Sequence, residues 1–366
     1  MSTDDFVLQV PAHLRAMSRF VPTHPTAAGK NVAGSGALTM LASNENPLGP
    51  GSLARRAVVL PEASIGRYPD STALTLKNRL AKSFDVTTGH VVLGNGSDEI
   101  ISLLSLALLE PGSSAVYSQY AFDVYRLVVN ARAATGLVVP AKDYSTDLEG
   151  LLAAIQPNTR IVFVANPNNP TGTLIAKDTL KAFLKAVPSN VLVILDEAYD
   201  EYLSAADKSE AIDWLSEFNN LIISRTFSKA YGLAGLRIGF GLMHASVADM
   251  LNRVRQPFNV NSIAQAAAIA SLADDDFVAR SYALNQAGMA QLTQGLEKLG
   301  LAYIPSSANF VSFSVKDAAS VNQKLLQKGV IVRPIANYEM ADYLRVSVGL
   351  FSENARFLAV LAEVIS

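Results

Sequence analysis

Three short runs of this chain, 161–165, 191–195 and 221–224, are almost unbroken stretches of apolar residues. A strand with one face in water alternates apolar and polar side chains, so a continuous run of this length requires a strand buried on both faces. Each run is followed by polar or glycine-rich residues instead of a two-residue hairpin turn, and longer amphipathic segments lie between them. That order predicts an α/β fold with a mostly parallel central sheet between helices. In a chain of 366 residues, 50% hydrophobic and 17% charged, there is ample apolar material to cover such a sheet.

From about Asn261 the texture changes: QAAAIASLA and residues 282–299 read as helices, and 309–314 and 344–348 as strands flanking another helix. A smaller α+β domain is therefore expected at 263–366, behind a large domain at 41–262. Residues 1–40 carry prolines and small residues without periodicity and are expected to form an arm lying on the body.

Charge and composition narrow the partners. A formal net charge of −2 offers no electrostatic footprint for nucleic acid or an anionic membrane, which leaves small molecules or other proteins. The absence of cysteine excludes disulfides, thiolate metal sites and a cysteine nucleophile. The start MSTDDFVLQV is acidic where a signal peptide needs positive charge, and apolar stretches such as 100–109 and 191–195 are too short to span a bilayer, so a cytoplasmic location is expected.

The chemistry follows the three strands. After 161–165 comes NPNNPTG, after 191–195 comes DEAY, and after 221–224 the chain reads RTFSKAYGLAGLRIGFG. Ligands of open α/β sheets bind beyond the carboxyl ends of the strands, so three strands deliver polar groups to one crevice. Taken singly, these pieces are a proline-asparagine turn, a helix cap and a solvated lysine. Together, a lysine, a carboxylate, an amide, a phenol, hydroxyls and an arginine, with no metal ligands, match the needs of pyridoxal phosphate.

Each requirement has a candidate. Lys229, beside Arg237, forms the Schiff base if burial and neighbouring cations keep its amine neutral near pH 7. Asp196 would keep the ring nitrogen protonated, while the amide of Asn169 and the hydroxyl of Tyr199 would hold the ring oxygen as an anion. For the phosphate, GNGSDEI offers a glycine turn, with Gly96, Ser97 and Asp98 opening the apolar helix 99–109; Thr226, Ser228 and Arg237 complete the anion site. A dinucleotide site is excluded because GNGSDE lacks the third glycine of GxGxxG, and a P-loop because the chain has no GK[ST].

At this point the chain resembles the fold-type I pyridoxal-phosphate aminotransferases, and within them the histidinol-phosphate aminotransferase family. The likeness runs from LASNENPLGP at Leu41 to LRVSVG at Leu344 and rests on motif order and spacing together. It gives Asn169, Asp196, Tyr199, Ser228, Lys229 and Arg237 the roles already argued. It also implies a homodimer with active sites at the interface, where Tyr68 of GRYPD reaches the neighbour's phosphate, and an aromatic ring, Phe122, stacked on the cofactor. Arg345 matches the family's general carboxylate-binding arginine and Arg333 a second arginine for the substrate's anionic end.

The resemblance implies ping-pong transamination between histidinol phosphate and 2-oxoglutarate. Phe20 stands where the family often has tyrosine, which removes a hydroxyl and makes aromatic amino acids such as phenylalanine or tyrosine the alternative donors. A related pyridoxal-phosphate decarboxylase or lyase would share nearly every cofactor residue. A non-enzymatic regulator would need a DNA-binding module, for which the residues before LASNENP are too few and too little charged.

Overall fold

The structure, a computed structural model, describes residues 9–17, 38–59 and 66–366. Most of the segment expected to form an arm, Phe20 included, lies outside the described residues.

In chain order the strands are β1 (Thr39–Met40), β2 (Val91–Gly94), β3 (Ser114–Ser118), β4 (Thr135–Val139), β5 (Thr159–Ala165), β6 (Leu192–Asp196), β7 (Leu221–Thr226), β8 (Gly239–Met243), β9 (Tyr303–Ile304), β10 (Phe310–Ser314), β11 (Val330–Ile331), β12 (Arg333–Pro334) and β13 (Tyr343–Ser347). Seven of them form one sheet in the order β2-β8-β7-β6-β5-β3-β4. All its pairs are parallel except those of β8, which runs antiparallel to both β2 and β7.

The three apolar runs are β5, β6 and β7 at the centre of this sheet. Their side chains alternate between two cores: Val162, Val164, Val193, Leu195 and Ile223 enter one, and Ile161, Phe163, Ile194 and Ile222 enter the other. Both faces are therefore dry, which is why polar residues appear in these strands only near the ends. Each such side chain contributes about 1.5–3 kcal/mol by leaving water. Helices including Leu74–Ser83 and Lys177–Ala186 supply one core; Ser97–Leu108 and Ala245–Val254 supply the other.

After helix Ser262–Ser271, the 24-residue helix Asp275–Lys298 leads into a second, antiparallel sheet in the order β12-β13-β10-β9. Its own core joins Val311, Phe313, Leu344 and Val346 to helices Ala318–Gln327 and Phe351–Ile365. β1 pairs in parallel with β11, and Leu41 packs in this second core. The stretch just after β1 thereby bridges from the smaller sheet towards the crevice of the larger one. Among the described residues, no helix is long and apolar enough to cross a membrane.

Candidate active site

Asp196 is the last residue of β6 and Thr226 the last of β7; Asn169 follows β5 by four residues, and Ser228 and Lys229 follow β7 by two and three. In-register pairing of β5, β6 and β7 brings these carboxyl ends side by side. They open onto a cavity of about 440 Å³ lined also by Ser97, Asp98, Phe122, Tyr199, Arg237, Arg333 and Arg345. Two sequence-selected residues are not in that lining. Gly96 lies just behind it, and Tyr68 is 82% exposed, stacked on Phe258 with ring centroids 4.6 Å apart.

Around Arg237 the backbone leaves no spare room. Gly96 caps helix Ser97–Leu108 with φ 78°, and a Cβ there would sit 2.5 Å from Arg237 Nη2. A Cβ on Gly239 would meet the Ser97 N–H nitrogen at 2.5 Å, so glycine at 239 lets β8 lie against the start of that helix. The glycines at 239 and 241 are thus part of a strand, while Gly232 of the same motif takes a positive φ of 69°. Arg237 itself adopts left-handed backbone, φ 54°, and its Nη1 donates to Ala234 O at 3.0 Å and to Ser228 Oγ at 3.4 Å. Thr226 Oγ1 donates to Ser228 Oγ at 2.9 Å. Helix N-terminus, hydroxyls and guanidinium thus converge as a cradle for an anion.

Lys229 Nζ donates to Ser43 O at 3.1 Å and lies 6.0 Å from the centre of the Tyr199 ring. Burial, then Arg345 and Arg237, depress its pKa to about 8, against the opposing pull of Asp98 and Glu45. A fraction of the amine is therefore neutral at physiological pH, available as a nucleophile or proton acceptor. Asp196 is buried, and burial raises its pKa to about 6 although Tyr125 Oη donates to Oδ2 at 2.9 Å and the Ala198 N–H to Oδ1 at 3.2 Å. Tyr199 is equally buried; its Oη accepts from Asn44 Nδ2 at 2.9 Å, and burial pushes its pKa up to about 12.

The smaller sheet provides the opposite wall. Arg333 and Arg345 face each other in register across β12 and β13. Arg345 is 6% exposed, lies over the Phe310 ring at 5.1 Å, and donates to Asn169 Oδ1 and, at 2.9 Å, to Ala42 O. Its Nε is buried with no partner among the described residues.

Sequence reasoning missed the segment 42–45, Tyr125 and Tyr338, all at or beside the cavity. Asn44 holds left-handed backbone, φ 55°, and spans 155 positions to reach Tyr199. Nothing local in the sequence marks that contact, although LASNENPLGP had already stood out as a motif.

A family profile described as Aminotransferase class I and II matches residues 37–361. The chain is 57% identical over 357 residues to the histidinol-phosphate aminotransferase of Methylobacillus flagellatus, covering 97% of each chain. It is 51% identical over 355 residues to histidinol-phosphate aminotransferase 2 of Nitrosospira multiformis, covering 96% of this chain and 91% of the relative. The structure of histidinol-phosphate aminotransferase from Sinorhizobium meliloti in complex with pyridoxal-5'-phosphate superposes with a TM-score of 0.89 at 28% identity, covering 98% of this chain and 97% of that one.

Proposed function

The chain belongs to the class I and II aminotransferases, and we propose that it transfers the amino group of histidinol phosphate to 2-oxoglutarate with pyridoxal 5'-phosphate as cofactor. The observation that carries the choice of donor is the pair Arg333 and Arg345, two cations in register on one wall of the cavity, suited to a doubly charged phosphate group.

The residues present fit the cofactor. The cradle at Gly96, which any side chain would fill, together with the helix N-terminus, Thr226, Ser228 and Arg237, suits its phosphate. Asp196 suits the ring nitrogen, Asn169 and Tyr199 the ring oxygen, and Phe122 a face of the ring. When bound, the cofactor supplies an aldehyde that exchanges oxygen for the substrate's nitrogen and a protonated ring that accepts negative charge from the reacting carbon.

The protein's own groups do the rest. The Lys229 amine, lowered to about 8, holds the resting cofactor and then carries the proton away from the carbon bearing the amino group. Asp196 stays ionised at neutral pH and keeps a proton opposite it in place. Arg345, whose Nε has an unfilled hydrogen-bonding position, and Arg333 anchor the anionic end of either substrate. Because the two substrates occupy the same anchors in turn, the kinetics are ping-pong.

We further propose a homodimer located in the cytoplasm, in which Tyr68 of the partner subunit completes the phosphate site. The support is its exposure, 82%, beside the exposed Phe258. Sedimentation of the purified protein as a monomer at micromolar concentration would end that reading.

The donor is tested by comparing kcat/KM for histidinol phosphate, phenylalanine and tyrosine, each with 2-oxoglutarate. Histidinol phosphate is expected to lead; a phenylalanine or tyrosine value above it would overturn the assignment.

A further inference from the structure

Of the carboxylates lining the cavity, two are already engaged. Asp98 faces Arg237 at 3.6 Å, and Asp196 accepts from Tyr125 and from the Ala198 N–H. The third is Glu45, in the loop that follows β1. It is exposed into the crevice, and its carboxylate makes no hydrogen bond or ion pair among the described residues. It is also close enough to Lys229 for its charge to act on the ammonium.

The backbone leading to this free acceptor is restricted. The segment 42–45 is pinned on both sides: Ala42 O accepts from Arg345, Ser43 O from Lys229, and Asn44 is tied to Tyr199 and, through its backbone N–H, to Ser347 Oγ at 2.8 Å. The cavity thus pairs a cationic wall, Arg333 and Arg345, with one uncommitted anionic side chain that follows a pinned segment. Histidinol phosphate has the same polarity, a phosphate at one end and an imidazole ring at the other. Neither phenylalanine nor glutamate has an N–H donor in its side chain.

We propose that Glu45 determines donor specificity by accepting a hydrogen bond from the ring N–H of an imidazole-bearing donor. This inference rests on the histidinol-phosphate reading of the site. A carboxylate accepts from the ring whether it is neutral or protonated, since either form keeps at least one N–H. A donor lacking that group leaves the carboxylate partly desolvated without compensation, which is how a hydrogen-bonding site rejects an analogue of similar size.

The test measures, on the pyridoxal-phosphate-loaded enzyme, the half-reactions with histidinol phosphate and with glutamate for wild type, Glu45→Gln and Glu45→Asp. A hydrogen bond to a charged group predicts that the ratio of the two kcat/KM values falls about 10- to 100-fold in Glu45→Gln and recovers in part in Glu45→Asp. Equal loss with both donors would show that Glu45 acts on Lys229 or on folding alone, and an unchanged ratio would show that it does nothing for the ring; either overturns the inference while leaving the substrate reading intact. Absence of histidinol phosphate turnover in wild type would instead overturn the substrate reading, and this inference with it.

Discussion

Asp196 and Glu197 are neighbours at the carboxyl end of β6, yet they enter two different buried charge clusters. Glu197 takes Arg225 Nε and Nη2 on one oxygen, at 3.0 and 2.7 Å, and Ser209 on the other; Arg225 Nη1 reaches Asp200 at 3.0 Å, and Lys208 reaches Asp200 as well. There Glu197, Asp200 and Glu201 raise the Arg225 pKa above its ordinary value despite burial, three acids against the two cations Arg225 and Lys208, and burial pushes Glu201 up to about 7. Around Asp196 the cation moves the other way: Lys229 is pushed down to about 8 while burial lifts Asp196 to about 6, and the Arg345 Nε is left unfilled at the cavity. A closed cluster ties its arginine to several acids; an open one leaves its lysine near neutrality, where a proton can move or a ligand can bind.

The sharpest break in this comparison is Lys229→Ala. It should lower transamination by at least about 10²–10⁴-fold without lowering the midpoint of urea unfolding. Retained turnover in a steady-state assay would remove Lys229 from the site. Arg225→Ala should do the reverse: stability falls by about 3–5 kcal/mol because Glu197 and Asp200 lose their buried cation. Equilibrium urea unfolding measures it, and a loss below about 1 kcal/mol would show that Arg225 does not compensate its buried acids.

A smaller effect separates the clusters by pH. Between the depressed Lys229 value of about 8 and its ordinary 10.5, the unfolded chain binds a proton that the folded chain does not, so stability of the cofactor-free protein rises with pH across that window. Asp196 has the opposite sign: raised from 3.8 to about 6, it holds a proton when folded, and its contribution is lost as pH rises from 4 to 6. Urea titrations at pH 8, 9 and 10 should show the alkaline rise shrink in Lys229→Met. The smallest effect belongs to the exposed helix pair Arg253–Asp249, 2.6 Å apart, where Arg253→Ala should cost no more than about 0.5 kcal/mol; burial, not ion pairing, is what makes Arg225 matter.

How much of this was legible in the sequence follows from range. The central strands were readable because burial on both faces writes itself as apolar continuity, although β6 carries Asp196 inside its end and β7 extends to Thr226. The antiparallel β8 was not, because two of its five residues are glycines required by the approach of the Ser97 turn and of Ile100, and glycine dilutes a strand signal. Motif residues at or just past a strand end, Asn169, Asp196 and Lys229, could be placed at the crevice from sequence because the strand announces where they arrive. Tyr125 was missed because a tyrosine on the buried face of helix Asp123–Ala131 looks like packing until its hydroxyl is seen 2.9 Å from Asp196. Asn44 and Glu45 depend on β1 joining β11, a pairing between strands nearly 300 positions apart that no local pattern encodes.

The central claim is that Lys229, held near neutrality in the open cluster, binds pyridoxal 5'-phosphate and reacts with an amino donor through it. Titrating the purified protein with pyridoxal 5'-phosphate should produce a visible absorption band that histidinol phosphate bleaches and 2-oxoglutarate restores. Lys229→Ala should still take up the cofactor through its phosphate but give no band that cycles in this way. A wild-type protein whose spectrum does not change on adding the cofactor, or a Lys229→Ala variant that cycles like wild type, would contradict the account.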